Sequence, residues 1–253
     1  TTLFRSGHRD PEIATFYADL RKRFAAIPGV SGASLSHSSL LSAGFSQAPI
    51  KGGMRAETVP IEGARVMVAG SHFLTTMQIP ILAGREIDER DQAGSPAVAV
   101  VNEQLARKYF GDENPVGRRI TFPEEKREFE IAGVSANLRN GSLKTESAMT
   151  VFIPMSQVEP NGMTYALRTT GDPLRFVKTV RELVREADAS LPVTNVMTQA
   201  AEIDRSISRE IMFARLCTGF ALLALLTACV GLYGTMSYGV AQQTGEIGIR
   251  MAL

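Results

Sequence analysis

The apolar stretch FALLALLTACVGLYGTM, residues 220–236, decides how the whole chain is interpreted. It lies within the segment from Leu216 to Gly245, which contains no charged residue. A helix needs roughly 20 apolar residues to cross a hydrocarbon core of about 30 Å. No upstream stretch resembles this one. The sequence therefore predicts a water-soluble region followed by one membrane-spanning helix, with Gly245 to Leu253 on the opposite side of the bilayer.

The composition excludes some function classes. The 27 Lys and Arg residues nearly balance the 26 Asp and Glu residues, so the net charge is +1. Nucleic-acid-binding domains usually carry a basic surface, and nothing in this balance indicates one. Both cysteines, Cys217 and Cys229, lie in the membrane segment, about 18 Å apart along a helix, which is too far for a disulfide bond between them.

Both ends of the chain indicate a piece of a longer membrane protein. The opening Thr1–Ser6 can be encoded by a common sequencing-adapter read, so we expect residues 1–6 to be non-native. The chain begins without Met or a signal peptide. It stops at Met251-Ala252-Leu253, inside a sequence pattern that we expect to continue.

Helix and strand patterns fill the soluble region. Asp10 and Pro11 suit the start of a first helix, with an apolar face that includes Phe24. The apolar run Ala97–Val101 predicts a buried strand, and Asn102 is expected to cap the helix that follows it. A second strand and helix pair is predicted around Thr164–Thr169 and after Asp172-Pro173, with an apolar stripe that begins at Leu174.

The remaining segments are less regular. Residues 42–64 predict a loop or an irregular hairpin, Ser71 a capped turn of helix, and Pro192–Met197 a strand. From Gln199 a helix is expected to run into the membrane segment without a break, because neither Pro nor Gly interrupts its first turns. The elements show no regular βαβ alternation, so the predicted class is α+β.

Several stretches together resemble the extracytoplasmic core domain of MacB/FtsX-type ABC transporter permeases, joined to its following membrane helix. The resemblance rests on PGVSGASLSHSSLL (28–41), on SHFLTTMQIPILAGREIDERDQAGSPAVAVVNEQLARKYFGDENPVGRRITF (71–122), on FEIAGVSANLRN (129–140), on VFIPMSQ (151–157) and on LYGTMSYGVAQQTGEIGIRMAL (232–253). It covers nearly the whole chain after Ser6.

The resemblance implies an α+β extracytoplasmic domain in which a smaller subdomain is inserted between the two halves of a porter-like part. It implies a core domain over 7–205, a membrane helix with its periplasmic lead-in over 206–241, and a cytoplasmic coupling segment over 242–253. It also implies a permease with four membrane helices, of which this chain would lack the first and the last two.

The candidate site residues lie toward the end of the chain, and the resemblance implies the role of the last of them. In the coupling segment, Glu246 and Arg250 are four residues apart and can pair on one helix face, while Ile247 and Ile249 offer apolar contacts to an ATPase. Without the resemblance, the same residues indicate a juxtamembrane helix with a surface ion pair. In the membrane helix, small residues recur at spacings of three and four, which lets helices approach closely in lipid: Ala221, Ala224, Ala228, Gly231 and Gly234.

No pattern in the chain predicts catalysis, a metal site or a cofactor. The spacing of His8, His37 and His72 matches no metal signature. The acidic run from Glu86 to Asp91 lacks the spacing of a calcium loop and predicts a solvated loop. Gly111–Arg119 lacks the phosphate-loop lysine and predicts a turn.

The leading hypothesis is a non-catalytic permease subunit in the bacterial inner membrane, with its large domain in the periplasm. A separate cytoplasmic ATPase would hydrolyse ATP, and a second permease copy and a periplasmic adaptor are further expected partners. The alternative is a membrane-anchored extracytoplasmic sensor or binding module. A membrane-tethered enzyme would need a catalytic cluster, and the sequence shows none.

Overall fold

A computed structural model describes residues 2–3, 10–40, 46–52, 64–122, 127–138, 148–158 and 162–251. The side chains of residues 2–3, 10–12, 46–47, 51–52, 205–210, 239 and 241–251 are not among those described. The chain divides into two compact units, Thr1–Gln199 and Ala200–Leu253. The first is called the soluble unit below.

The described part of the soluble unit contains strands and helices in mixed order. The helices are α1 (Asp10–Ala25), α2 (Phe73–Thr76), α3 (Glu103–Phe110) and α4 (Val177–Ala187). The strands are β1 (Thr2–Leu3), β2 (Val30–Ser36), β3 (Ser46–Ala48), β4 (Lys51–Gly52), β5 (Ala64–Ala69), β6 (Ile81–Gly84), β7 (Val98–Asn102), β8 (Arg119–Phe122), β9 (Arg127–Ser135), β10 (Thr150–Pro154) and β11 (Met163–Thr169).

The strands form one mixed sheet in the order β1-β11-β2-β5-β10-β7-β9-β8-β4, with β3 paired to β5 and β6 paired to β9. The pairs β5–β10 and β7–β9 are parallel, and the other described pairs are antiparallel. A mostly antiparallel sheet with helices between its strands confirms the predicted α+β class.

One end of the sheet is covered by α1 and α4. The predicted inner face of α1 is buried, including Tyr17 and Phe24, and it packs in one apolar cluster with Val180 and Val184 of α4. The hydroxyl of Tyr165 in β11 donates to the backbone oxygen of Tyr17 at 3.0 Å. Burial raises the pKa of this phenol, which therefore stays a hydrogen-bond donor.

The other end of the sheet is a smaller lobe built around β7 and α3. All five residues of β7 are buried, as the apolar run predicted. The Asn102 Oδ1 accepts from the N–H groups of Leu105 and Thr150 at 3.2 and 2.9 Å. The predicted cap is therefore confirmed, and the same side chain also joins α3 to the start of β10.

Four predictions for the irregular segments need correction. The residue before α2 is His72, which has φ 59° and makes no side-chain cap, so the predicted Ser71 cap is wrong. Pro192–Met197 is not a strand but holds an isolated bridge at Thr194, because Asn195 has a left-handed φ of 51° that interrupts an extended backbone. Residues 42–64 contain β3 and β4, which pair with β5 and β8 rather than with each other. Leu174 is 57% exposed, outside the buried stripe.

The acidic run that was predicted to be a solvated loop is a network of ion pairs. Asp91 is 3% exposed, and the two guanidinium nitrogens of Arg85 donate to its carboxylate at 2.8 and 2.7 Å. This hydrogen bonding raises the pKa of Arg85. Glu86 accepts from the Thr75 N–H and hydroxyl, and Glu89 pairs with the buried Arg21 of α1 at 2.6 Å.

We predict that Asp91→Ala destabilises the soluble unit by about 1–3 kcal/mol, because Arg85 loses a bidentate charged partner in a partly buried place. Chemical denaturation of the chain in detergent, followed by near-ultraviolet circular dichroism, measures the change. Asp112→Ala is the matched control, since Asp112 is exposed and should cost within about 0.5 kcal/mol. Equal midpoints for both variants would contradict a structural role for the pair.

Candidate functional site

The described part of the second unit belongs to one helix, α5 (Gln199–Met251), of 53 residues. Its segment Ile211–Tyr238 has 28 residues with a mean hydropathy of 2.0, long and apolar enough to cross a membrane. The helix is unbroken from its first residue onward, as predicted, and is about 80 Å long at 1.5 Å per residue. The helix can therefore extend beyond both surfaces of a hydrocarbon core of about 30 Å.

The apolar side chains of this segment are not covered by the described part of the chain. Phe220 is 70% exposed and Val230 is 72% exposed, and none of the most apolar window is buried. Exposing large apolar side chains to water costs about 25 cal/mol of free energy per Å² of apolar surface. The surface of the segment therefore fits lipid or neighbouring membrane helices.

The hydroxyl groups of three threonines in this segment are satisfied within the helix itself. Thr218 donates to the Ala214 oxygen at 2.9 Å, Thr227 to the Leu223 and Ala224 oxygens at 3.0 and 2.9 Å, and Thr235 to the Leu232 oxygen at 3.0 Å. An unpaired donor in hydrocarbon costs several kcal/mol. These internal hydrogen bonds make the threonines compatible with a membrane.

The predicted small-residue stripe lies on the exposed surface of α5. Its members are Ala221, Ala224, Ala228, Gly231 and Gly234, all exposed, and they extend over roughly 20 Å of helix. A side chain added at Gly231 or Gly234 would meet nothing within 4 Å. The described part of this chain therefore leaves the stripe open for another helix.

The four coupling residues lie in the last turns of α5. The backbone is helical through Met251, so Glu246 and Arg250 are separated by about one helical turn, as their spacing predicted. The side chains of Glu246, Ile247, Ile249 and Arg250, and the final residues 252–253, lie outside the described part of the structure. Their proposed role remains a prediction.

The other candidates from the sequence are the histidines and the turn at Gly117. No group of three potential metal ligands occurs among the residues that the structure describes. His37 accepts from the Val68 N–H at 3.2 Å and His72 lies 3.2 Å from Glu86, which confirms them as hydrogen-bonded histidines, while His8 is outside the described residues. The turn at Gly117 is confirmed, with φ 82°.

Sequence reasoning missed the ion pairs of the loop from Arg85 to Asp91 and the buried Arg21. The pairs of Arg85 with Asp88 and Asp91 could have been predicted, because these residues are only three and six positions apart and a loop can bring them into contact. The partner of Arg21 lies 68 residues away, and no local pattern predicts that contact.

Comparisons with known proteins agree with the fold and with the apolar helix. The chain is 26% identical over 191 residues to the pyoverdine export ATP-binding/permease protein PvdT of Pseudomonas syringae pv. syringae (strain B728a), which covers 72% of this chain and 29% of that protein. It is 24% identical over 192 residues to the macrolide export ATP-binding/permease protein MacB of Aggregatibacter actinomycetemcomitans, covering 73% and 29%. The matched region thus spans less than a third of the length of these relatives.

The fold also matches a solved structure. The crystal structure of the periplasmic region of MacB from Actinobacillus actinomycetemcomitans superposes with a TM-score of 0.52 at 17% identity, covering 82% of this chain and 91% of that one. At this identity the likeness concerns the fold. A family model described as the MacB-like periplasmic core domain matches residues 4–201. That match takes in most of the chain, and the chain therefore belongs to the MacB-like periplasmic core domain family of ABC transporter permeases.

Proposed function

We propose that this chain is part of a non-catalytic permease that transmits ATPase-driven motion across the inner membrane to a periplasmic domain, for efflux or for mechanical signalling. The observation that carries the proposal is the continuity of α5. One helix joins the last residues of the soluble unit to the coupling segment, with no proline between them. A continuous helix is stiff enough to transmit a shift or tilt from one end to the other.

The proposed parts follow the boundaries expected from the sequence. Residues 7–205 would form the periplasmic core domain, residues 206–241 the membrane helix with its lead-in, and residues 242–253 the coupling segment. The family description, which names a periplasmic domain, supports this orientation. The arginines before the span, Arg205 and Arg209, do not oppose it, because large domains translocate largely regardless of charge.

The proposed partners follow from the same parts. The names of both relatives combine ATP binding with a permease and describe export, which supports an ATPase partner and an efflux role. For this chain we propose that the ATPase is a separate cytoplasmic subunit that contacts the coupling segment. A second permease copy and a periplasmic adaptor complete the proposed assembly.

In the coupling segment, Glu246 and Arg250 would form an ion pair one helical turn apart that holds the end of α5 in a fixed orientation. Ile247 and Ile249 would make the apolar contacts with the ATPase. Ion pairs of this kind stabilise a helix by a few tenths of a kcal/mol. The main effect of the Glu246–Arg250 pair would be on orientation, because the pair would set which face of the helix contacts the ATPase.

The first experiment attaches a reporter after Leu253 and purifies the full-length gene product with candidate ATPases. We expect a cytoplasmic reporter and a bound ATPase. A periplasmic reporter would invert the orientation and remove the coupling role of Glu246 and Arg250. A cytoplasmic reporter without a bound ATPase would instead favour the anchored sensor.

We predict that Glu246→Ala with Arg250→Ala uncouples ATP hydrolysis from transport while the protein still folds and inserts. The measurement is the ratio of substrate moved to ATP hydrolysed in vesicles that contain the complete transporter. Gln242→Ala with Gln243→Ala is the control, because it shortens neighbouring side chains and leaves the charge pair intact. An unchanged ratio in the first variant would count against the coupling role.

We predict that Gly231→Leu weakens association of α5 with a second membrane helix, because the added side chain separates the two backbones. A membrane two-hybrid assay of α5 measures the association. Gly219→Leu is the matched control, with the same change at a glycine that lies off the stripe. If both variants associate as the parent does, the stripe is not a packing face.

A further inference from the structure

Helix α4 carries an unusual outer surface. The single turn Pro173–Phe176 leads directly into α4, and the inner side of this segment buries Val180 and Val184. Its outer side forms a shallow groove whose lining includes one exposed leucine, four basic residues and one acidic residue: Leu174, Arg175, Lys178, Arg181, Glu182 and Arg185. We call this surface the basic face of α4.

The charge of the basic face is poorly neutralised. Lys178 lies 3.8 Å from Glu182. Within the described residues, no carboxylate lies within 4.0 Å of Arg175, Arg181 or Arg185. By contrast, six other described arginines of the soluble unit each have a carboxylate oxygen at 2.6–3.3 Å. The neighbouring helix α1 also carries two basic residues, Lys22 and Arg23, in its last turn. The basic face is thus available for an anionic surface.

Leu174 gives the same surface an apolar element. It is 57% exposed although the other members of its predicted stripe are buried or half-buried. Helices that bind at a lipid interface combine lysine and arginine, which meet the headgroups, with apolar side chains that enter the boundary of the acyl chains. An exposed leucine beside a row of cations is compatible with such a surface.

The segment that follows α4 packs against the inner side of α4. After α4, Leu191 and Val193 pack into the apolar cluster that contains Val180 and Val184. The chain then enters α5 at Gln199, and the apolar segment begins at Ile211, roughly 18 Å further along the helix. Along the chain, α4 is therefore the last described helix of the soluble unit before the helix that carries the apolar segment.

We propose that the basic face of α4 docks on the anionic phospholipid headgroups of the bilayer that holds α5. Arginine binds phosphate oxygens through two parallel N–H bonds, and three of the four cations are arginines. The tether through α5 keeps the face at a high effective concentration near the headgroups. This proposal rests on the insertion of α5 in the membrane, and it is independent of the ATPase.

The test uses the absence of tryptophan from the chain. Leu174→Trp places a single tryptophan on the basic face of the complete chain, and excitation at 295 nm avoids the tyrosines. Leu82→Trp is the matched control, because Leu82 is 52% exposed and lies on β6, away from α4. Both variants are reconstituted in nanodiscs of phosphatidylcholine alone and in nanodiscs that also contain phosphatidylglycerol, with brominated lipid as the quencher.

We expect the emission of the Leu174→Trp variant to shift to the blue and to be quenched in the phosphatidylglycerol nanodiscs at low salt, and to lose both effects at high salt. The Leu82→Trp variant should show neither effect. In the Leu174→Trp background, each of Arg175→Gln, Lys178→Gln and Arg181→Gln should lower the ratio of docked to undocked chain about fivefold. Glutamine keeps the helix, and Arg107→Gln in α3 is the control for loss of an exposed cation.

Equal spectra of the Leu174→Trp variant in the two kinds of nanodisc would overturn the proposal, as would quenching of the Leu82→Trp variant to the same extent. Insertion of α5 is measured separately, by whether the chain stays with the nanodiscs at high salt. A chain that stays inserted but shows no response to lipid charge therefore refutes the docking alone. A chain that leaves the nanodiscs refutes the membrane anchor as well.

Discussion

The pairing of β10 with β5 on one side and with β7 on the other holds the soluble unit together. Phe152 lies opposite Met67 in β5 and Val100 in β7, and all five residues of β10 are buried. The α1–α4 layer and the smaller lobe around α3 are otherwise separate apolar clusters. Strand β10 and the residue after it contribute to these two clusters and to a third, with Met155 in the first, Val151 and Ile153 in the second and Phe152 in the third. The ion pair of Arg21 with Glu89 is a second connection between α1 and the loop before β7.

The membrane helix follows a different physical rule from the soluble unit. The soluble unit buries its apolar side chains within itself, whereas α5 exposes them over the segment Ile211–Tyr238. The hydroxyls of Thr218, Thr227 and Thr235 are satisfied by the helix backbone, and its small residues leave a smooth surface. The family match relates this arrangement to ABC transporter permeases, and it is the basis of the proposal that α5 transmits motion between the cytoplasmic side and the soluble unit.

Much of the fold could be predicted because its signals are local. The apolar run of β7, the Asn102 cap, the amphipathic helices α1 and α4 and the unbroken helix α5 each depend on residues within a few turns or one strand.

The predictions that failed depended on backbone conformation or on distant contacts. The segment after α4 has the composition of a strand, but the left-handed backbone of Asn195 interrupts it. The acidic loop has the composition of a solvated loop, yet Arg85 and Arg21 pair with three of its carboxylates. The contact between Arg21 and Glu89 spans 68 residues. The coupling residues could be predicted from the sequence motif, but their side chains lie outside the described part of the structure.

The sequence by itself determined the membrane helix, the strand and helix class and the absence of a recognisable catalytic motif, because hydrophobic length, periodicity and residue type act locally. Only the tertiary structure decided the strand order, with β10 between β5 and β7, since pairing between distant segments depends on the packing of whole faces. It also decided that Leu174 lies exposed beside four cations while Val180 and Val184 are buried. Periodicity places these residues on one helix, but only packing against α1 and the sheet determines which side of that helix faces the solvent.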